Sequence, residues 1–590
     1  MALDTAAARW PRVRLGGTGR GTGWAADRCS GGATKAQVAG DAGVEARAEV
    51  PRGRVAGLMR GLRHYAPVLV ALFVFVLVVT LTPTVGPAAA PSATPRSTTS
   101  PVAALAAAYR PGASGVAVSG VHCRPGVRQV SWSHYAPMCQ PAWHGNNGGA
   151  TSPGVTVKTI TLTFRYAATP AEAALFASFA PETVGTEAEA VKAMQGYISE
   201  FNKNFELYGR HVVLKVFNGK GDVIPEASGG GQAAAEADAA TAKSLGAFAD
   251  SSVLFSTAVY DQALARQKVV AVGGTFEPAS QIQQYAPYQI LPGPDCNKGV
   301  DAGAAVIGRG MVNLPAIYAG DPAMQSKTRV LGFIVPDNPL YAACVGALKQ
   351  ELQNKYHTKF GAQFSYSLDF TGASNAGQYT NAIAQFKAAG VTTVICGCDP
   401  ITPLYLGQDA TAEKYYPEWF SLGFGDAFSR LPPKEQWSHD MTAAMADVPR
   451  AQEESYRAYR MAYPTGVIPP SYQALYEPLL LLFDGLQAAG PHLTPQALQQ
   501  GLASLPASSP GGEFGTWRFG PATVDPSQSF QILWWNPVGV SIQDGKTGTY
   551  EPCNGGAIYL ETKLSALPDH TQLQCFGRAT SSTTPQGSSP

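Results

Sequence analysis

The chain has 590 residues, several times one small module, and hydrophobic residues at 45 % exclude wholesale disorder. Charged residues at 14 % and a mean hydropathy of −0.05 exclude a coiled coil and a polytopic membrane protein. A net charge of +1 offers no global basic field, so no nucleic-acid partner is expected.

The charge is unevenly placed. Residues 1–65 hold 11 Lys and Arg against 5 Asp and Glu, and the remainder carries 32 against 37. Residues 1–58 show no apolar periodicity and read as a disordered basic head or as a wrongly assigned start, since Met59 opens a leader of ordinary length. Arg60, Arg63 and His64 precede the apolar run Val68–Leu81, and small residues Gly86 and Ala88 follow it. Residues 59–90 are therefore read as a signal peptide or a single membrane anchor, with the body outside the cytoplasm, secreted or tethered to the outer face of the membrane.

Residues 91–150 form an Ala/Pro/Ser-rich tether and a cysteine-containing cap. Apart from Cys29, the cysteines are Cys123, Cys139, Cys296, Cys344, Cys396, Cys398, Cys553 and Cys575. An even number outside a membrane reads as disulfides. Local pairing would join Cys123 to Cys139 and Cys553 to Cys575. Cys396-Gly397-Cys398 lacks a companion pair at zinc spacing, which favours a bridge over a metal site.

From about Val155 the chain alternates strand and helix patterns. Val155–Leu162 reads as a strand. Val191, Met194, Ile198, Phe201 and Phe205 form one helical stripe ending near Gly209. Strands are expected at His211–Phe217, Val253–Ser256 and Val269–Val272, with helices over Gln232–Phe248 and Asp261–Arg266. The pattern restarts with strand Arg329–Val335, helix Pro339–Tyr356, strand Phe364–Phe370, helix Gln378–Ala389 and strand Val391–Cys396. A short helix over Ala412–Tyr416, strand Trp419–Phe424 and a long helix Tyr472–Ala489 follow. Two β-α-β series in tandem predict two parallel sheets with helices on their faces.

The order of these pieces resembles the type I periplasmic binding proteins, in particular the branched-chain amino-acid (Leu/Ile/Val) group of ABC-transporter substrate-binding proteins. The resemblance rests on Phe201-Asn202-Lys203-Asn204 with Tyr208-Gly209-Arg210, on Val330-Leu331-Gly332-Phe333-Ile334-Val335-Pro336-Asp337 with Tyr341, and on Tyr472 with Leu475-Tyr476-Glu477. Gly512-Glu513-Phe514-Gly515-Thr516-Trp517 completes it, whereas Phe217-Asn218-Gly219 departs from the acidic pair common there. It implies two doubly wound α/β lobes joined by a three-crossing hinge, with crossings at Leu291–Pro294, Gly423–Gly425 and Pro510–Gly515. Lobe 1 is then 151–293 plus about 425–511, lobe 2 is 294–424 plus about 512–562, and 563–590 is a C-terminal extension and disordered tail.

The resemblance also implies a small-molecule ligand, ABC permease subunits as partners, a monomer, and no cofactor or metal. Ligands of open parallel sheets gather at the carboxyl ends of the strands. Ser256 and Thr257 follow the third strand of lobe 1, and Gly274 and Thr275 follow the fourth. The related proteins use these loops for a ligand's carboxylate and amino group. Tyr166 in the first loop, Tyr341 at the start of a lobe 2 helix and Asp426 after the Trp419–Phe424 strand complete the candidate set. Each also has an ordinary reading as a helix cap, turn or core aromatic. No Gly-x-Ser-x-Gly elbow, His-Glu-x-x-His helix or Walker loop is present, so the chain is read as a non-enzyme. The expected ligand is an amino acid or amide-like solute. The alternatives are a ligand-sensing receptor ectodomain of the same fold and a secreted hydrolase.

Overall fold

The computed structural model describes residues 112–169, 185–274, 277–369, 376–422, 429–521, 523, 525–542 and 544–576. The basic head, the apolar segment, Thr275, Gly423–Gly425, Asp426 and the final tail lie outside these described residues.

The N-terminal cap is a short antiparallel pair, β1 (Gly115–Val116) and β2 (His122–Cys123), closed by the Cys123–Cys139 disulfide. It docks on the first lobe by hydrogen bonds. Gln129 Nε2 donates to the Asn204 carbonyl at 2.8 Å, and Asn147 Nδ2 donates to the Val157 and Tyr208 carbonyls at 2.9 Å.

The first lobe is a five-stranded parallel sheet. Its strands are β3 (Thr159–Tyr166), β4 (His211–Asn218), β5 (Ala249–Asp250), β6 (Val270–Val272) and β7 (Gln289–Ile290), in the order β4-β3-β5-β6-β7. Between them run α1 (Glu187–Asn204), α2 (Val223–Ala227), α3 (Gln232–Ser244), α4 (Ala258–Arg266) and α5 (Ala279–Gln284). Helix α1 starts with a reciprocal cap: Thr186 accepts from the Glu189 N–H, and the Glu189 carboxylate accepts from the Thr186 N–H at 2.8 Å. Its stripe Met194, Ile198 and Phe201 is buried against the sheet and a later helix.

The expected strand over Val253–Ser256 is instead a single 3₁₀ turn, Val253–Phe255, and the third strand is Ala249–Asp250. Side-chain hydrogen bonds explain the difference. Ser252 Oγ donates to Asp250 at 2.5 Å and accepts the Arg165 N–H at 2.7 Å, which draws the chain out of the ladder.

The second lobe opens with α6 (Cys296–Gly310) and α7 (Pro322–Gln325). It continues through β8 (Leu331–Pro336), α8 (Pro339–Tyr356), β9 (Phe360–Tyr366), α9 (Ala376–Ala388) and β10 (Thr393–Cys396), then α10 (Thr402–Ala412), β11 (Glu418–Ser421), α11 (Lys434–Trp437) and β12 (Asp440–Ala444). The chain then supplies α12 (Glu454–Ala462), α13 (Tyr472–Ala489) and α14 (Pro495–Ser504), of which α12 and α13 pack on α1 of the first lobe. It returns as β13 (Ser529–Val540), β14 (Thr547–Pro552) and β15 (Tyr559–Leu560). The second sheet runs β14-β13-β12-β11-β10-β8-β9, with β15 against β13. Strands β8 to β12 are parallel, and β13 and β14 are antiparallel additions. Both lobes thus repeat one order: second, first, third, fourth, fifth. Buried apolar clusters cover both faces of each sheet.

Two expected boundaries move. Strand β12 pairs with β11 and β13, so residues from 429 to 444 belong with the second lobe, and the chain crosses back only after Ala444. Asp-Met-Thr-Ala-Ala has almost no β-branched character, which hid this strand from sequence reasoning. Trp517 and Phe519 lie in the first lobe's core, so the last crossing falls between Phe519 and Ser529 rather than at Pro510–Gly515. The C-terminal extension is packed as far as residue 576, because Leu567, Leu573 and Cys575 enter the second lobe's core.

All eight body cysteines pair: Cys123–Cys139, Cys296–Cys344, Cys396–Cys398 and Cys553–Cys575. Trp535 is buried inward, while Trp534 lies on the other face, its ring 4.9 Å from Phe576. No helix among the described residues is long and apolar enough to cross a membrane. The apolar helix α13 is buried within the first lobe, and Pro478 sits inside it without ending it.

Candidate functional site

Loops from the carboxyl ends of the two sheets meet. Asn338, just after β8, donates its Nδ2–H to the carbonyl of Ser228, just after α2, at 2.8 Å. The site is built outward from this contact, where both sheets end in loops and helix starts.

On the first lobe, Tyr166 is the last residue of β3 rather than a loop residue, and it is half-buried. Its ring meets Phe255 edge-on at 4.7 Å. Ser256, the next residue, donates its hydroxyl to the Asp261 carboxylate, with both oxygens 2.7 Å away. Thr257 caps α4 by accepting the Tyr260 N–H at 3.1 Å and donates to Glu226 Oε2 at 2.7 Å. The glycine loop adjoins them: a Cβ on Gly273 would stand 3.4 Å from Ser256 Oγ, and one on Gly274 would stand 3.5 Å from Asp261 Oδ2. Gly274 has φ +132°, a conformation that side chains rarely adopt. Tyr166, Ser256, Thr257 and Gly274 therefore share one patch. Thr275 and Asp426 lie outside the described residues.

Beneath that patch is a charged network that sequence reasoning missed. Arg165 is fully buried, with its guanidinium on Glu226 at 3.0 Å and on Asp238 at 3.2 Å. It also donates to the Phe255 carbonyl at 2.6 Å and lies 3.6 Å over the Tyr260 ring. Burial alone would lower the Arg165 pKa, but the hydrogen bonds and charge of Glu226 raise it. Asp250 accepts from Thr163 at 2.6 Å, from Ser252 at 2.5 Å and from Tyr260 at 3.2 Å. The one available signal was an arginine inside the otherwise uncharged strand Thr161-Leu162-Thr163-Phe164-Arg165.

Two buried carboxyl groups lie behind these first-lobe loops. Burial, and then the charge of Glu277, push the Asp261 carboxyl well above the usual range. Burial lifts Glu277 to about 7, opposed by amide donors from Gln289 and Gln262. Gln289 Nε2 donates to Glu277 at 2.9 Å.

On the second lobe, Tyr341 lies in the first turn of α8 and is half-buried. Desolvation raises its hydroxyl pKa, and the nearby Asp399 charge adds to the effect. Asp399 itself is buried and holds the start of α10. It accepts from Tyr366 at 2.7 Å, from the Thr402 hydroxyl at 2.5 Å, and from the Ile401 and Thr402 N–H groups at 2.9 and 3.1 Å. Cys396–Cys398 immediately precedes it. Among the described residues no three His, Cys, Asp or Glu side chains are placed to hold a metal ion.

The two lobes share one repeated strand order and exchange chain three times, which is the two-lobed α/β architecture that the resemblance in the sequence implies. No protein-family model and no curated protein matches the chain. Solved structures that it resembles include a fatty acid ABC transporter substrate-binding protein from Thermomonospora curvata. That match has 14 % identity and a TM-score of 0.48, covering 71 % of this chain and 97 % of the other. A leucine-, isoleucine-, valine-, threonine- and alanine-binding protein from Brucella ovis gives 13 % identity and 0.47, covering 71 % and 98 %. An amino acid ABC transporter substrate-binding protein from Pseudomonas fluorescens Pf-5 gives 13 % and 0.48, covering 70 % and 99 %.

Proposed function

We propose that the chain is an extracytoplasmic solute-binding protein that closes its two lobes over a small polar ligand and delivers it to an ABC permease. The observation that supports this reading most is the hydrogen bond from Asn338 to Ser228, which joins the strand-end loops of the two lobes across the cleft. Tyr166, Ser256, Thr257 and Gly274 would form one wall, and Tyr341 the other.

The Ser256 hydroxyl donates to the Asp261 carboxyl, so its oxygen keeps acceptor capacity toward a ligand, while Thr257, buried and already accepting the Tyr260 N–H, supports the wall from behind. A ligand ammonium or amide N–H suits this wall better than a ligand carboxylate. That agrees with an amino acid or amide-like solute entering with its nitrogen toward the first lobe.

A thermal-shift screen of the exported protein against amino acids, amides, sugars and aromatic acids tests the proposal. A ligand at a hundred times its dissociation constant adds about 2.7 kcal/mol and raises the melting point by a few degrees. A hit among amino acids or amides supports capture. Silence across the panel, together with hydrolysis of an ester or amide probe, would replace it with a secreted hydrolase.

A further inference from the structure

Of the four disulfides, three close loops of 16, 22 and 48 residues, whereas Cys396–Cys398 spans a separation of only 2. A cross-link stabilises a fold by restricting the unfolded chain, and that restriction shrinks with loop length. The shortest bridge therefore adds the least to stability. The backbone around it is held independently. Cys396 pairs with Ile334 of β8 and Ser421 of β11, and the Gly397 N–H donates to the Ile334 carbonyl at 3.0 Å.

Location and access set it apart as well. The bridge sits at the carboxyl end of a central strand, directly before Asp399. Cys398 is 7 % exposed, more than any other bridged cysteine, the next being Cys123 at 4 %. Cys396 is fully buried. Both sulfurs are buried in the fold, so attack needs local opening, and Cys398, nearer the solvent, is then the target while Cys396 is the leaving sulfur.

We propose that Cys396–Cys398 is a thiol–disulfide exchange site whose co-substrate is a dithiol outside the cytoplasm. The dithiol's thiolate attacks Cys398 Sγ; the Cys396–Cys398 bond breaks, and Cys396 leaves as a thiolate that takes up a proton. The second thiol of the reductant, once deprotonated, attacks the reductant's own sulfur in the mixed disulfide. This displaces the Cys398 thiolate, which is protonated in turn, and releases the reductant as a disulfide. Two electrons and two protons pass to the protein, and the reverse sequence restores the bridge.

The test equilibrates the exported protein, folded, with graded ratios of reduced to oxidised dithiothreitol, traps free thiols by alkylation and maps them by mass spectrometry. Cys396 and Cys398 should be labelled together at a ratio at least tenfold less reducing than that required for any of the other six. Labelling together with the others, or after them, overturns the proposal. A Cys396→Ser/Cys398→Ser double variant provides a second readout. It should melt within a few degrees of the parent, while Cys296→Ser/Cys344→Ser melts much lower. If the first variant fails to fold or loses as much as the second, the bridge is a structural staple and the exchange site is refuted.

Discussion

Asn338 of the second lobe donates to the Ser228 carbonyl of the first at 2.8 Å, and Ser228 ends the helix whose Glu226 holds Arg165. One hydrogen bond thereby connects the second lobe to the buried charge network of the first. Each element of that connection predicts a measurable effect.

Asn338→Ala removes the donor and leaves the backbone of both lobes intact. A single hydrogen bond of this kind contributes about 1 kcal/mol, roughly a fivefold change in an equilibrium. The ligand-free protein should shift toward an open form, seen as a larger radius of gyration by small-angle scattering. An unchanged radius would mean that other contacts hold the lobes together.

Arg165→Met leaves Glu226 and Asp238 buried without their cation. Breaking a buried pair from one side typically costs about 3–5 kcal/mol. Chemical denaturation should show a loss of that order, and Glu226→Gln in the same background should recover part of it. If Arg165→Met is as stable as the parent, the network adds nothing to the fold.

The acid side of the pH scale should favour folding. Burial lifts Asp440 to about 7 although Tyr550 and Ser421 donate to it, and burial lifts Glu277 to about 7 as well. Both values are raised in the folded state, so the stability these groups contribute is complete below their unfolded values near 4. It is lost as pH rises through about 7. The melting temperature should therefore rise as pH falls from 8 to 5, and Asp440→Asn should flatten part of that slope. A melting temperature that falls over this range would contradict the assignment.

Tyr135 ties the N-terminal cap to the segment ahead of the last crossing. Its hydroxyl accepts the Phe514 N–H at 2.7 Å and donates to the Gly515 carbonyl at 3.0 Å. Tyr135→Phe strands a partly buried N–H at a cost of about 1–3 kcal/mol. Hydrogen exchange at Phe514 should accelerate while exchange in the second lobe's strands stays unchanged.

Much of the fold was legible from periodicity. Pro339–Tyr356 and Tyr472–Ala489 have the limits expected of them, because a proline start and a long apolar stripe mark them clearly. Short strands were harder to place. Phe360–Tyr366 begins four residues before its expected position, since its alternation of polar and apolar residues continues past the true end. Strand Asp440–Ala444 was invisible because only Thr442 among its five residues favours a strand. At the site, the loops around Ser256 and Gly274 were found from their place after strands. Asp261 and Glu226, which fix what those loops can accept, come from helix α2, helix α4 and long-range packing that no local pattern encodes.

The two ends of the described stretch ride on different bodies. The cap from Gly112 is fastened to the first lobe through Gln129, Asn147 and Tyr135, whereas the stretch to Phe576 is stapled into the second by Cys553–Cys575. The polypeptide therefore carries its own calipers: a probe at each end would read the angle between the lobes without touching the cleft.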